Sequence, residues 1–530
     1  MFGREVSGSV IHRCGSSRAC YRRSPVSTSQ RNKIRDLGTP LLACFALLFA
    51  STVRAQTSGV NNGALYGAYV FNLNGFGVNA GASSPFAAVG RFNADGVGNL
   101  TAGLLDTNGI SSAAVLSRQT FSGTYAIGAE NRGVMTLNFQ GGSMTLAFAM
   151  MANHDAKVIR FDATGGNGAV GSGTIEKISN GVFKAQKINR DYAFGVAGFD
   201  TVNNRTAMVG RLTANGAGAF TNGTADMYEY GTSSPVTITT ANYTVTDVTM
   251  GRGTINLACS TGGMTRNFNF VFYYVSPAEL RLMETDAITS STALLNGQVL
   301  GQVTPPNGFS NASLNGDMVI YLTAHSICGS APTASPIVLA GLLTANGSGV
   351  LNVTFDQNCG GTPYSVTNLS GTYSVASDGR ASMMVGPYHV VSYLVRPKRA
   401  FILGTDSSGF GEVHPAGTYT NSSLTGTYAG SAIYPASAQV VIFSGEFTAN
   451  GSSPTGDIAG TEDIVYPSGP STASGFDATY AISASPTSGR GSITITSGSG
   501  GSAVVYVVSP SEFVAVPMND PNPAVWLFQQ

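Results

Sequence analysis

The chain has 530 residues, of which 43% are apolar and 11% are charged, with 67 glycines. The charged share is less than half the roughly 25% of an ordinary globular protein, and Gly, Ser, Thr and Asn fill the gap, a composition of turns and strands with apolar content enough for packed cores. Residues 1–55 hold nine of the 28 Lys/Arg and two of the 28 Asp/Glu, which leaves 19 basic against 26 acidic groups in the remainder. A mildly acidic body argues against nucleic acid as a partner.

The leader has three parts: basic Arg18, Arg22, Arg23, Arg31, Lys33 and Arg35, an apolar run over 41–50, and Val53-Arg54-Ala55 before Gln56. This pattern predicts a secretory signal peptide over 1–55, cleaved after Ala55. The run is too short to span a bilayer, so no transmembrane anchor is expected in the mature chain. The expected location is secreted, extracellular or periplasmic. Cys14, Cys20 and Cys44 leave with the leader; Cys259, Cys328 and Cys359 remain, too few for a disulfide framework.

Beyond the leader one motif returns four times: Phe92-Asn93-Ala94-Asp95-Gly96, Leu212-Thr213-Ala214-Asn215-Gly216, Leu343-Thr344-Ala345-Asn346-Gly347 and Phe447-Thr448-Ala449-Asn450-Gly451. The offsets of 120, 131 and 104 residues are the size of a whole small domain, not of a solenoid repeat. Breaks near 179–187, 303–309 and 415–421 give copies over 64–180, 186–304, 310–416 and 420–530, expected as closely spaced beads.

The second copy parses into eight strands, at 190–200, 205–214, 219–230, 236–247, 252–260, 264–277, 278–287 and 293–302. Phe268, Phe270, Phe272 and Tyr274 alternate with Asn267, Asn269, Val271 and Tyr273; Met135, Leu137 and Phe139 alternate likewise in the first copy. Period two with one apolar face predicts antiparallel sheets wet on the other side. The Asp-Gly and Asn-Gly pairs predict tight two-residue hairpins with positive φ at both central positions. The expected fold is all-β: four tandem antiparallel eight-stranded meander barrels, with four β-sandwiches as the alternative.

Two further anchors repeat. An early strand opens with Leu65-Tyr66-Gly67-Ala68-Tyr69 or Leu424-Thr425-Gly426-Thr427-Tyr428; a middle strand holds Gly123-Thr124-Tyr125, Asn242-Tyr243, Gly371-Thr372-Tyr373 or Ala478-Thr479-Tyr480. Together with the Ala-Asn-Gly motif, these make each copy resemble avidin and the wider lipocalin-like group of eight-stranded barrels. The chain also resembles tandem-repeat secreted bacterial β-proteins of unknown function. The resemblance implies a ligand site at a Trp-rich aromatic box, whereas this chain has one Trp, Trp526.

Candidate chemistry is sparse. His154, His325, His389 and His414 stand at unmatched positions and read as surface or loop residues, with no metal-ligand spacing among them. The Gly-rich stretches 165–173 and 497–501 read as turns. Asp106, Asp226, Asp356 and Asp463 recur after the Asn-Gly motif, and Asp162, Asp286, Asp406 and Asp520 end a late strand; both sets read first as caps and turn hydrogen bonds. Arg132, Arg252, Arg380 and Arg490 recur just before the fifth strand, either tying down carbonyls or a recurrent Asp, or facing a ligand at the barrel mouth. Cys328 and Cys359 fall on connections at one end of a meander, where a disulfide is feasible; Cys259 reads as a buried thiol. No catalytic residue, cofactor or metal is assigned. The expected function is a non-enzymatic structural or adhesive protein of the cell surface or matrix; the alternatives are a carrier of small apolar ligands in the barrel interiors and, less favoured, a secreted hydrolase.

Overall fold

The computed structural model describes residues 59–530 except 80–81, 111–114, 141, 163–168, 179–180, 230, 262–263, 330–332, 407 and 484–488. The expected signal peptide lies outside the described residues. Within the compact unit Arg54–Gln530, the chain closes into four antiparallel barrels of eight strands, each strand paired with its sequence neighbours and the first with the eighth. The barrels span 66–178, 191–301, 316–415 and 425–529. They are meanders, not sandwiches.

Alternation supplies the interiors. Tyr69, Phe71, Phe92, Phe121, Met135, Leu137 and Phe148 fill the first barrel; Phe443, Phe447, Phe476, Phe513 and Phe528 fill the fourth. Bulky rings crowd so closely that some facing positions must be glycine: a Cβ at Gly90 would lie 2.6 Å from the Phe71 ring.

One end of each barrel is plugged. Short 3₁₀ turns at Asn62–Ala64, Ala185–Lys187, Asn311–Leu314 and Asn421–Ser423 lead into the first strands. The middle-strand tyrosines tie them down: Tyr125 donates to the Leu65 carbonyl (2.8 Å), Tyr243 to that of Ile188 (2.8 Å), Tyr373 to that of Asn311 (3.0 Å) and Tyr480 to that of Leu424 (2.9 Å). Asn62, Asn311 and Asn421 return the contact by accepting the N–H of Ile127, Val375 and Ile482.

The motif hairpins differ from the two-residue form expected. The strands end at Asp95 and resume at Asn99, and positive φ falls on Gly96 (80°) and Gly98 (120°). The Asp95 carboxylate accepts three backbone N–H groups, from Val97, Gly98 and Asn99, so the acidic residue organises the turn through its side chain. The stretch 165–173 is also corrected, because Gly171 and Gly173 lie inside the strand Ala169–Ile178.

A larger departure concerns the outward faces. The fourth strands are wet outside, as Thr237, Thr239, Asn242 and Thr244 show. Other strands are buried on both faces: all residues but one of Arg205–Ala214 are buried. The outward side chains of each barrel pack on the next. Ala207, Val209 and Leu300 of the second barrel cluster with Val391, Phe401 and Leu403 of the third. Val319, Val338 and Ala340 of the third cluster with Val514, Val516 and Leu527 of the fourth. Val70 and Val89 of the first share a cluster with Val271 and Met283 of the second. The fourth returns to the first, where Ile442 and Val465 join Ala147, Ile159 and Val170. The beads close into a ring with one repeated head-to-tail contact.

Candidate functional site

The recurrent Arg and Asp residues meet at the joints of this ring. Each Asp sits outward on the third strand of one barrel; each Arg is the first residue of the fifth strand of the next, within the strand rather than before it. Arg252 donates to Asp106 through Nε (2.8 Å) and Nη2 (2.7 Å). Arg380 grips Asp226 (2.7 and 2.8 Å) and Arg490 grips Asp356 (2.7 and 2.8 Å) in the same bidentate way.

A tyrosine completes each of these three joints. Tyr273, Tyr393 and Tyr506 stand opposite the arginines on the sixth strand and donate to the same carboxylates at 2.7, 2.8 and 2.6 Å. Burial opposes ionisation of Asp356, but Arg490, Ser365 and Tyr506 hold its carboxyl below the usual range. These tyrosines were not singled out in the sequence, although each lies in an apolar run whose outward positions are too greasy for solvent.

The closing joint is built differently. Ala149 occupies the tyrosine's register position opposite Arg132. Arg132 approaches Asp463 through Nη1 at 3.1 Å and shares itself with Glu130 (3.2 Å). Ser444 stands beside Asp463 where Val89, Val209 and Ala340 stand beside the other three acids. Burial pushes the Asp463 carboxyl up, only partly offset by Arg132.

The second set of acids serves the barrels themselves. Asp162, Asp286 and Asp406 accept the N–H of Thr145, Asn269 and His389 at 2.7, 2.9 and 2.8 Å, and Asp520 accepts that of Asn522. Cys328 and Cys359 are joined in a disulfide with Cα atoms 6.0 Å apart. Cys259 is a buried thiol, pushed up to about 11 by burial.

Where the four barrels converge they leave a polar chamber of about 340 Å³. A belt of contacts crosses it: Glu176 of the first barrel pairs with Arg281 of the second, which holds Gln298 (2.9 Å). Gln298 donates to Glu412 of the third barrel (3.0 Å), which also accepts from Tyr434 of the fourth (2.8 Å). His414 lies between Glu412 (3.0 Å) and Glu512 of the fourth barrel (3.2 Å). Burial would lower His414, yet the two carboxylates win and raise it; Glu412, despite its burial, is drawn down to about 2 by His414 and Arg399. His414 is therefore a buried chamber residue, which corrects its reading as a surface group. No signal in the sequence placed these residues together, because each barrel contributes only one to three of them.

A further recess of about 430 Å³ lies at the unplugged mouth of the fourth barrel, bounded by Phe443, Trp526 and the segment 498–502. Glu462 ties that segment down, accepting the Ser499 N–H (2.6 Å) and hydroxyl (2.8 Å). Among the described residues no group of three His, Cys, Asp or Glu is placed to hold a metal ion, and no helix is long and apolar enough to cross a membrane.

No protein-family model and no curated protein matches the chain. Among solved structures, the vaccine antigen transferrin binding protein B (a mutant) from Haemophilus parasuis is similar at 8% identity and a TM-score of 0.16, over 73% of this chain and 85% of that one.

Proposed function

We propose that the protein is a secreted or cell-surface structural and adhesive platform without enzymatic activity. The observation that carries this reading is the use of the recurrent charged residues: the bidentate Arg–Asp pairs join barrel to barrel. Plugged barrels packed with aromatic side chains support a rigid scaffold over a set of carriers. Held in a ring, the fourth strands turn similar hydroxyl- and amide-rich faces outward, with Thr120, Ser122 and Thr124 on the first barrel and Thr367, Asn368 and Ser370 on the third exposed. Weak contacts repeated on such faces gain by avidity.

The test is retention of purified protein on the producing cells or their extracellular matrix. Placing Glu at Thr124, Thr244 and Thr372, singly and together, is expected to lower retention stepwise and more than additively in the triple variant. Turnover of a glycoside or ester, or a small molecule retained in the barrels under native mass spectrometry, would overturn the reading.

A further inference from the structure

The central chamber holds a lysine that none of the surrounding carboxylates grips directly. Lys157 of the first barrel is 2% exposed and lines the chamber; it feels the charge of Glu512, Glu176, Glu412 and Asp155, yet its ammonium makes no hydrogen bond and no close ion pair among the described residues. Its own carbonyl is engaged by Ser444, which fixes the backbone at the closing joint. The belt of contacts runs from Glu176 round to Glu512, which also accepts from Gln529 (3.1 Å), and Lys157 lies within electrostatic reach of both end carboxylates. Burial lowers its pKa against the pull of these carboxylates, and its donors open onto the chamber.

The chamber also holds an unmatched acceptor. One carboxylate oxygen of Glu176, Oε2, is buried without a hydrogen-bond partner, although Oε1 pairs with Arg281. Lys157 lies opposite Thr174 on the neighbouring strand, so Glu176 is its diagonal neighbour on the same outward face. Diagonal residues of an antiparallel pair are roughly 7–8 Å apart, close enough for one small molecule to touch both. The chamber's rim carries the exposed residues Asn153 and Ser511, while Phe410, Ile433 and Leu527 also line it. Its volume is at the small end of ligand sites.

We propose that the chamber binds a free α-amino acid, its carboxylate on Lys157 and its ammonium on Glu176 Oε2. A simple anion would answer Lys157 but leave Glu176 Oε2 without a donor, and a simple cation would answer Glu176 Oε2 but not Lys157. A zwitterion answers both groups at once. The site belongs to the assembled ring, because its walls come from all four barrels.

The experiment is a thermal melt of the full chain with each of the twenty proteinogenic amino acids at about 10 mM, beside acetate and methylammonium, followed by calorimetry on any that shift the midpoint. At least one amino acid is expected to raise the midpoint, neither single-charge control to do so, and Lys157→Met and Glu176→Gln each to weaken binding at least tenfold. Lys157→Met keeps the length of the side chain and removes an ammonium that burial already disfavours, so the unliganded variant is expected to melt near the parent, which separates loss of binding from loss of fold. A flat panel, water alone filling the chamber, would overturn the proposal. So would acetate matching the best amino acid, or affinity unchanged in both variants.

Discussion

Replacing Asp356 by Asn tests the joint between the third and fourth barrels. The carboxylate accepts from Arg490 twice, from Tyr506 at 2.6 Å and from Ser365 at 2.5 Å, and its side chain is 1% exposed. Asn keeps the shape but turns one acceptor into a donor facing other donors. Breaking a buried pair by changing one partner costs about 3–5 kcal/mol. The Arg490 side chain is 37% exposed and can be rehydrated, which places the loss at the lower end, about 3 kcal/mol. Asp463→Asn at the closing joint is expected to cost only about 1 kcal/mol, because that carboxylate is already raised by burial and has no tyrosine donor, and because Arg132, although fully buried, keeps its pair with Glu130. Trp526, the chain's single Trp, lies in the fourth barrel, which takes part in both joints, and reports on both in urea. With a slope of about 1.5 kcal/mol/M, Asp356→Asn should move the midpoint down by about 2 M. Equal shifts for the two variants, or a larger one for Asp463→Asn, would refute the distinction between complete and incomplete joints.

Burial raises Glu462 to about 7, against the hydrogen bonds from Ser499. A carboxyl raised in the folded state favours folding when protonated, so its contribution falls as pH climbs from the ordinary glutamate range through about 7. Glu462→Gln is therefore expected to flatten that part of the stability profile and to melt higher than the parent at pH of about 8. Tyr480→Phe removes the hydroxyl that holds the Leu424 and Asn421 carbonyls and accepts the Gly451 N–H; a loss of about 1–3 kcal/mol is expected by urea titration. Opening the Cys328–Cys359 bridge, which spans 31 residues, should cost about 3.5 kcal/mol by chain entropy, measured as the difference between the parent and the double Ser variant.

The barrels were legible in the sequence because each strand alternates and each turn is punctuated by Gly, Asn or Asp. The ring was not. Period-two reading assigns Phe268, Phe270 and Phe272 inward, but it leaves Val271 and Tyr273 outward, where solvent was expected. In the structure Tyr273 reaches Asp106 of another barrel. Near-continuous apolar runs such as Val504–Val508 and Phe513–Val516 were the signal for burial on both faces. Recurrence of Arg and Asp was visible and their pairing was among the readings, but not that each pair bridges two copies. His414 reads as a surface group and Lys157 goes unremarked in the sequence because neither recurs: the chamber is where the four copies have diverged.

Closure of the ring is tested most directly by small-angle X-ray scattering on the Arg54–Gln530 unit. A compact body of that length has a radius of gyration of about 23 Å, and the closed arrangement predicts a value near it with one symmetric distance distribution. A value above roughly 30 Å with a long tail, as four barrels in a line would give, would contradict it.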